Sequence, residues 1–238
     1  MLYWVRDKKI KEGMKEFIEQ FEQRKQEVNL YFEFLKKQIG EEISPKNQDI
    51  DTDKIEKILK ANSFLILYNF IESSMRNAIQ AIHDSIETEA VPYRLLEQGL
   101  QKIYLKQLYH RLKESNNSTF ESSMIPFLEK IIDDAFIKEY NQALTFSGNV
   151  DAQKIRELAR DYGFSNTSGA SRGGRELLTV KTKRNHLAHG NISFSECGRD
   201  HSFSDLNTIK DEVIGFLRDI LSEIEDYIDK QTYKKGIS

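Results

Sequence analysis

Apolar residues recur at steps of three and four over a long stretch at each end of the chain, which predicts two long amphipathic helices. The first covers about 7–38 and stops before Gly40, and the last covers about 205–233. The apolar face of the first helix holds Ile10, Met14, Phe17, Ile18, Phe21, Val28, Phe32, Leu35 and Ile39. That of the last holds Leu206, Ile209, Val213, Phe216, Leu217, Ile220, Ile224 and Ile228. Aromatic residues at this spacing predict core packing rather than platforms for stacking on nucleotide bases.

A third stretch, about 52–87, is apolar on nearly every side and predicts the central helix of the fold. Asp53 and Glu56 have the spacing of a capping box at its start. Its middle, SFLILYNFIESSMRNAIQAI, leaves no wide polar face, so we expect other helices to surround it. Arg76 and Asn77 need polar partners there, and we expect them to line a cleft or to hydrogen-bond internally.

Four shorter helices complete the pattern, and polar or glycine-rich segments separate them. These helices are predicted at 92–115 with Pro92 in the first turn, 122–140 with Pro126 in or near the first turn, 151–163 with Asp151 as cap, and 174–188 with Gly190 as stop. Loops are predicted at 41–52, 115–119, 165–174 and 191–204. The pattern does not decide whether 143–150 is a loop or an extended segment. We therefore predict an all-α helical bundle with extended loops. A long N-terminal helix, 1–40, packs on a domain covering 52–233.

The composition supports this class and excludes others. Charged residues make up 31% of the chain, with only 3 Pro and 12 Gly, which favours long solvated helices over a β-sandwich or barrel. The single cysteine, Cys197, excludes an internal disulfide framework and favours a reducing compartment. The apolar runs at 1–5 and 64–68 are too short for a signal peptide core or a membrane helix. We expect a soluble, cytoplasmic protein that does not contact a membrane.

Charge restricts where a nucleic acid could bind. The net charge is −3, so attraction must come from a local basic patch. Segment 151–190 has eight Lys or Arg against four Asp or Glu, which suits a phosphate-binding surface, although a solvated charged face gives the same pattern. The candidates for backbone contact are Arg156, Arg160, Arg172, Arg175, Lys181 and Lys183.

The sequence VKTKRNHLAHG places three side chains suited to phosphodiester chemistry at a helix end. Arg184 offers a permanent charge with forked donors, His189 can give or take a proton near neutral pH, and Asn185 adds a neutral donor and acceptor. On an ideal helix Arg184 and His189 point roughly 140° apart, so they share one face only if the last turn unwinds at Gly190. A surface arginine followed by a histidine at a helix end is also a common structural arrangement.

The segment RNHLAHG, residues 184–190, resembles the signature of the HEPN superfamily, in which an arginine precedes a histidine by four to six positions and a polar residue usually follows the arginine. Its place also fits, since it ends the penultimate predicted helix. The flanking sequences LILYNFIESSMRNAI and SFSECGRDHSFSDL resemble bacterial, defence-associated HEPN families. The resemblance covers about 52–233.

This resemblance implies a metal-independent endoribonuclease without a cofactor, which leaves a cyclic phosphate and a 5′-hydroxyl. His189 would transfer protons, Arg184 would stabilise charge on the transition state, and Asn185 would orient the histidine or the phosphate. Glu72 on the central helix is a further candidate for the site. The residues expected to bind RNA are Lys181, Lys183, His186, Arg172 and Arg175.

The resemblance also implies a homodimer in which motifs from two protomers form one composite site. It suggests a role in defence or in toxin–antitoxin-like growth control, with an antitoxin or a sensor protein as a further partner. In HEPN toxins silenced by adenylylation, a tyrosine lies two residues beyond the histidine. Here that position is Asn191, so this control cannot act there.

Three alternatives stay open from the sequence. One is a non-catalytic HEPN module that binds nucleotide, RNA or a partner protein, and another is a purely structural helical adaptor. The third is a metal site, because His186, His189, Cys197 and His201 could supply nitrogen and sulfur ligands. Zinc motifs rest on closely spaced cysteine pairs, which are missing here, so we expect no metal.

Overall fold

The computed structural model describes residues 2–40, 51–113, 117–136, 140, 148–164 and 173–236. These residues form eight α-helices and no strand: α1 (Leu2–Gly40), α2 (Thr52–Glu89), α3 (Gln98–Lys113), α4 (Asn117–Ile132), α5 (Ala152–Tyr162), α6 (Arg175–Ala188), α7 (Phe194–Arg199) and α8 (Phe203–Asp229). A 3-10 turn, Tyr93–Leu95, lies between α2 and α3. The prediction of an all-α helical bundle with a long N-terminal helix is confirmed.

The central helix is α2, as its apolar sequence predicts. Helices α1, α6, α7 and α8 all pack against it. Phe64, Leu67, Ile71, Met75 and Ile82 are completely buried on it. Each such side chain stabilises the fold by roughly 1.5–3 kcal/mol through removal from water. Because α6 packs directly on this buried helix, the candidate site rests on the most rigid part of the core.

The N-terminal helix α1 packs along α2 and also contacts α8. Phe17, Phe21 and Phe32 are nearly fully buried, and the rings of Phe21 and Phe70 stack with their centroids 5.2 Å apart. Phe17, Phe21 and Phe32 are therefore part of the core, as their spacing predicts. They belong to the same hydrophobic cluster as the other core helices. The division of the chain into 1–40 and 52–233 stays a prediction.

Helix α2 starts at Thr52, as predicted, but the residue that caps it is not the predicted one. The side chain of Asp51 accepts a hydrogen bond of 3.0 Å from the backbone N–H of Lys54 and so caps the helix. The capping box predicted at Asp53 and Glu56 is therefore wrong. At the other end, α2 stops where Ala90 adopts a left-handed conformation with φ of 52°. Asp51 lies two residues before Asp53 and bonds a backbone N–H of the first turn, so it is the cap in place of Asp53.

The helices α3 and α4 also differ from prediction. The backbone is extended at Pro92, which opens the 3-10 turn, so the helix predicted from 92 begins only at Gln98. Helix α4 covers 117–132 rather than 122–140 and includes part of the predicted loop 115–119. Pro126 lies inside α4, not in its first turn, next to the buried Phe127. The stabilisation from burying Phe127 exceeds the cost of the backbone hydrogen bond that Pro126 cannot donate.

The predicted start and end of α5 and the predicted start of α8 are confirmed by the residues that cap these helices. The side chain of Asp151 accepts a hydrogen bond of 2.9 Å from the backbone N–H of Lys154 at the start of α5, and α5 ends at Gly163 with φ of 82°. Helix α8 begins close to its predicted start, with a capping box between Ser202 and Asp205. Polar caps and left-handed glycines give reliable boundaries because they satisfy backbone groups that the helix leaves unpaired.

Helix α7 lies within a segment predicted to be a loop, 191–204, so that prediction is wrong. Ser193 and Glu196 form a capping box at its start. A Cβ on Gly198 would lie 1.8 Å from the carbonyl oxygen of Lys57, so only glycine allows α7 to pack this closely on α2. A helix of six residues is too short to reveal its period in the sequence.

Several predicted loops lie outside the described residues. These are 41–50, 165–172 and most of the segment 143–150. The end of the predicted helix 122–140 lies partly outside them as well. In the described part of the chain, no helix combines the length and apolar character that crossing a membrane requires.

Candidate active site

The motif lies on α6, and the buried face of this helix decides which side chains point towards the bundle. Leu177, Val180 and Leu187 are buried, and α6 packs against α2 and α8. Gly174 precedes α6 with φ of 81°, and a Cβ there would lie 2.6 Å from the Cβ of Ala152. The start of α6 is thus fixed against α5 in a position that only glycine permits. Arg184 follows Val180 by four positions and therefore faces the bundle as well.

The guanidinium of Arg184 is held over an aromatic ring. Its central carbon lies 4.2 Å from the centroid of the Tyr68 ring on α2. Its Nη1 donates hydrogen bonds to Asn185 Oδ1 at 2.9 Å and to the carbonyl oxygen of Gly148 at 3.4 Å. A cation over an aromatic face in a half-buried setting gains roughly 1–2 kcal/mol. The charge is therefore fixed in place and only partly exposed to solvent.

Tyr68 also binds the segment that precedes α5. Its hydroxyl oxygen accepts a hydrogen bond of 3.2 Å from the backbone N–H of Val150. Burial raises the pKa of the Tyr68 hydroxyl, the Val150 hydrogen bond opposes this, and the nearby charges of Glu72 and Arg184 act in opposite directions. Tyr68 is therefore a neutral phenol that contacts both the arginine and the adjoining loop.

Asn185 and Lys181 link the same segment to α6. Asn185 Nδ2 donates to Asn149 Oδ1 at 3.2 Å. The ammonium of Lys181 pairs with the carboxylate of Asp151, the cap of α5. Burial alone would raise the pKa of Asp151, but the hydrogen bonds from Lys181 and from the backbone of Lys154 lower it. Residues 148–151 thus form one side of the site, and the charge of Lys181 is already balanced.

Glu72, the predicted auxiliary residue, lies one turn beyond Tyr68 on α2. Its Oε1 accepts a hydrogen bond of 2.6 Å from Arg76 Nη2. Asn77 Nδ2, in turn, donates to Gln20 Oε1 on α1 at 2.6 Å. Arg76 and Asn77 are thus hydrogen-bonded within the protein, which is one of the two outcomes expected for them. Glu72 is close enough to Tyr68 to raise the pKa of its hydroxyl, which puts it at the edge of the site.

His189 caps the C-terminal end of α6, directly after Ala188, and is exposed. Gly190 follows with φ of 69°, its N–H donates to Leu187 O at 3.2 Å, and the Asn191 N–H donates to His186 O at 2.8 Å. This is the Schellman pattern that closes helices at a left-handed glycine. The helix does not unwind before His189. Within one chain, Arg184 therefore faces the bundle while His189 faces solvent.

The remaining predicted RNA-binding residues have different surroundings. Arg175 and His186 are exposed on α6, and Arg172 lies outside the described residues. Lys183 is half-buried near Cys197 and His201. Burial raises the pKa of the Cys197 thiol, and the Lys183 charge opposes this. Burial also lowers the pKa of the His201 imidazole, and here Lys183 adds to the effect.

The four side chains of the alternative metal site do not share one environment. Cys197 is buried, whereas His186 and His189 are exposed. The ring of His201 packs edge-on against Phe64, with centroids 5.0 Å apart. Among the residues that the structure describes, no three His, Cys, Asp or Glu side chains are grouped in a way that could hold a metal ion.

Two contacts of the site were not anticipated from the sequence, those of Tyr68 and Asn149. The signal for Tyr68 was its position four residues before Glu72 in the apolar run LILYNFIESS. It is the one side chain there that offers both a ring and a hydroxyl. Asn149 gave no signal, because its role depends on contact with Asn185 across 36 positions of the chain.

An all-α bundle whose penultimate long helix ends in an arginine and a histidine has the architecture of a HEPN domain. A match to the MAE_28990-like HEPN family covers residues 14–233, and the chain belongs to this family. HEPN domains generally have ribonuclease-type functions, often bind RNA and often dimerise. The match begins inside α1, so the family includes most of the N-terminal helix.

No curated protein and no solved structure matches the chain.

Proposed function

We propose that this protein is a metal-independent endoribonuclease of the HEPN type, acting in defence or in toxin–antitoxin-like growth control. The supporting observation is that one edge of the Arg184 guanidinium is held within the protein while its other edge is left available. Its charge is fixed on Tyr68, while Nε and Nη2 make no hydrogen bond to another described residue. An arginine held by one edge can offer its free edge to a phosphate. Five positions later, His189 is exposed and makes no hydrogen bond through its ring within the described part of the chain.

The proposed reaction is an internal transfer within RNA. A base removes the proton of a ribose 2′-hydroxyl, and the 2′-oxygen attacks the adjacent phosphorus. The bond from phosphorus to the 5′-oxygen breaks, and an acid protonates this leaving oxygen. The products are a 2′,3′-cyclic phosphate and a 5′-hydroxyl, and no water is consumed. His189 carries out proton transfer, Arg184 stabilises the added negative charge on the phosphoryl oxygens, and Asn185 orients the arginine through their hydrogen bond of 2.9 Å.

A composite site formed by two copies suits this chemistry. In one chain Arg184 faces the bundle and His189 is exposed, so the arginine of one copy and the histidine of the other can act on one phosphodiester. Leu178, Thr182, His186 and His189 lie at steps of three and four on the exposed side of α6. Leu178 is 51% exposed and gives this stripe an apolar contact point. We infer that this stripe is where two copies meet.

RNA would reach the site along the positive side of α6. Arg175, His186 and Lys183 are accessible to different degrees. Arg172, three positions before Arg175 in the sequence, stays a candidate. Lys181 binds Asp151 in the free protein, so its contact with a phosphate would require exchange of this ion pair. Glu72 would act through its contacts with Tyr68 and Arg76 rather than on the RNA itself.

The test is incubation of the purified chain with structured and unstructured RNA in EDTA, followed by analysis of the new ends. We expect cleavage with 2′,3′-cyclic phosphate and 5′-hydroxyl ends. His189→Ala and Arg184→Ala should each reduce the rate by about 100-fold or more. The matched controls are His110→Ala and Arg218→Ala, which remove a histidine of α3 and an exposed arginine of α8, both outside the proposed site. Both controls should retain most of the activity.

Equal cleavage by all four variants would identify a contaminating nuclease and contradict the proposal. Ends bearing a 5′-phosphate would contradict the internal transfer.

A second candidate, a non-catalytic HEPN module that binds RNA, nucleotide or a partner, is favoured by one observation. In a single chain Arg184 and His189 lie on different sides of α6. If every form of the protein binds RNA without cutting it, and Arg184→Ala weakens this binding, the binding module is the better account.

A further inference from the structure

The hairpin formed by α3 and α4 has a small core of its own. Leu108, Leu112 and Phe127 form a cluster separate from the main core, supported by Tyr93, Met124 and Ile131. The two helices connect through residues 114–116 at one end. At the other end Pro92 pairs with Phe136, and Arg94 Nε donates to Asp134 Oδ1 at 2.5 Å. Because the end of α4 returns to the start of α3, the two helices run antiparallel.

The hairpin exposes more large apolar side chains than it buries in its own cluster. On α3, Leu105 is 45% and Tyr109 61% exposed, and on α4, Ile125 is 54%, Leu128 48% and Ile132 80% exposed. Single exposed apolar residues are normal in soluble proteins, but five on one pair of helices are characteristic of an interaction surface.

These five residues lie on the same side of the hairpin. On α3, Leu105 and Tyr109 lie about 60° and 100° around the helix from Leu108. On α4, Leu128, Ile132 and Ile125 lie about 100°, 140° and 160° around the helix from Phe127, so Ile125 lies at the outer rim. Because the helices are antiparallel, equal rotations from the shared seam point to the same side. We call this side, defined by Leu105, Tyr109, Ile125, Leu128 and Ile132, the hairpin face.

Opposite charges flank the hairpin face. Lys102 and Lys106 are exposed along the edge of α3 that lies away from α4. Glu129 and Asp133 are exposed along the edge of α4 that lies away from α3. None of the four makes an ion pair with another residue that the structure describes. The face is thus basic at one edge, apolar in the middle and acidic at the other edge.

We propose that the hairpin face docks on the hairpin face of a second copy, with α3 of one protomer against α4 of the other. A two-fold axis parallel to the helices brings the basic edge of each copy to the acidic edge of its partner. A two-fold axis across the helices would instead place lysines opposite lysines. A surface with opposite charges at its two edges is self-complementary in the first arrangement only, and self-complementarity is what a symmetric dimer requires.

This interface shares no residue with the Arg184 and His189 site and does not rest on the proposed nuclease activity. If copies also meet through the exposed side of α6, each chain carries two different symmetric interfaces. Such chains form assemblies larger than a dimer.

Charge reversal in the full-length chain tests the proposal. One variant carries Lys102→Glu with Lys106→Glu, and a second carries Glu129→Lys with Asp133→Lys. Mass is measured by light scattering after gel filtration, at equal concentration and low salt. Each variant alone should show a mass at least twofold below that of the wild type, because like charges then meet at both edges. An equimolar mixture of the two variants should recover the wild-type mass, as should the chain that carries all four changes.

Failure of the mixture to recover the mass would overturn the proposal, as would masses equal to that of the wild type for both variants. An apolar pair of variants provides a control independent of charge. Leu128→Ser with Ile132→Ser should lower the mass, whereas Leu30→Ser should not, although Leu30 is 65% exposed on α1. A mass unchanged by the first of these would also contradict the proposal. Circular dichroism spectra should match the wild type throughout.

Discussion

His83 and His189 have the same side chain in opposite surroundings. His83 is buried in α2, with Nδ1 3.1 Å from the Tyr104 hydroxyl and Nε2 2.8 Å from the Tyr162 hydroxyl. Its ring stacks on Tyr140 with a centroid distance of 3.5 Å. His189 is exposed at the end of α6 and makes no ring hydrogen bond to another described residue.

The contrast separates a histidine that is fixed in the core from one whose exposed ring suits the proton transfer that we propose. Burial lowers the pKa of His83 to about 3, so its ring is neutral at physiological pH and is fixed by two hydroxyl groups. It joins α2, α3 and α5 in one polar contact. His189 has no such constraint, and a substrate can reach it. Burial and hydrogen bonding, rather than residue type, thus indicate which histidine is available for chemistry.

The largest expected effect is on activity at His189. His189→Ala should reduce the rate of RNA cleavage by roughly 100- to 10,000-fold, because a proton-transfer group is lost. The free energy of unfolding should change by less than about 0.5 kcal/mol, since an exposed side chain makes few contacts. Rate measurement and urea denaturation on the same sample check both parts. A large loss of stability would show that His189 has a structural role instead.

For His83 we expect the opposite result, a large loss of stability with little change in the cleavage rate. His83→Ala creates a cavity and removes the partner of two hydroxyl groups, so the free energy of unfolding should fall by about 2–5 kcal/mol. Cleavage per folded molecule should stay within about threefold of the wild type. His83 is far from Arg184 and His189, so its loss should change the activation free energy by less than about 0.7 kcal/mol. Urea denaturation and a rate corrected for the folded fraction measure this. A hundredfold loss of rate with normal stability would reverse the roles assigned to the two histidines.

The buried histidine should also give the stability a pH dependence. The unfolded chain binds a proton at His83 below about pH 6.5, whereas the folded chain binds it only near pH 3. The unfolded state therefore gains protons as the pH falls, and stability from this group is complete above pH 6.5 and is lost progressively towards pH 3. The free energy of unfolding should change by at most about 1.4 kcal/mol per pH unit through this group. His83→Gln should flatten the curve between pH 7 and 5, and an unchanged slope would contradict the burial of a neutral ring.

The smallest expected effects come from Tyr68, which holds the arginine without being part of the chemistry. Tyr68→Phe keeps the ring under Arg184 but loses the hydrogen bond from Val150, so stability should fall by about 0.5–1.5 kcal/mol with little change in rate. Tyr68→Leu also removes the aromatic face, and cleavage should fall further, by roughly 5- to 30-fold. Urea denaturation and single-turnover rates separate the two roles. Equal rates for the two variants would show that the ring does not position Arg184.

The helices that could be predicted from the sequence are those with a long period or a clear cap. The stripes of α1 and α8 repeat over many turns, and Asp151 and Gly190 mark boundaries through hydrogen bonds to nearby backbone groups. The short α7 and the 3-10 turn after Pro92 could not be predicted, because neither is long enough to show a period. Local hydrogen bonding is visible in a sequence when the partners are a few residues apart.

The candidate site could be predicted only in part, for a similar reason. Arg184, Asn185 and His189 are adjacent in the sequence, and the family motif identifies them together. The contact of Arg184 with Tyr68 joins positions more than a hundred residues apart, and that with Gly148 spans 36. Such contacts depend on how α6 packs on α2. The helical period does predict that Arg184 and His189 point in different directions, whereas a site shared by two copies is what the family resemblance implies.

Coexpression of two inactive chains tests the central claim most directly. Arg184→Ala and His189→Ala chains carry different affinity tags, and tandem purification isolates the mixed dimer. If an arginine and a histidine from two copies act on one phosphodiester, the mixed dimer should cleave RNA well above the level of either variant alone. It should leave the same 2′,3′-cyclic phosphate ends as the wild type. A mixed dimer that forms but is no more active than its two parents would contradict a composite site.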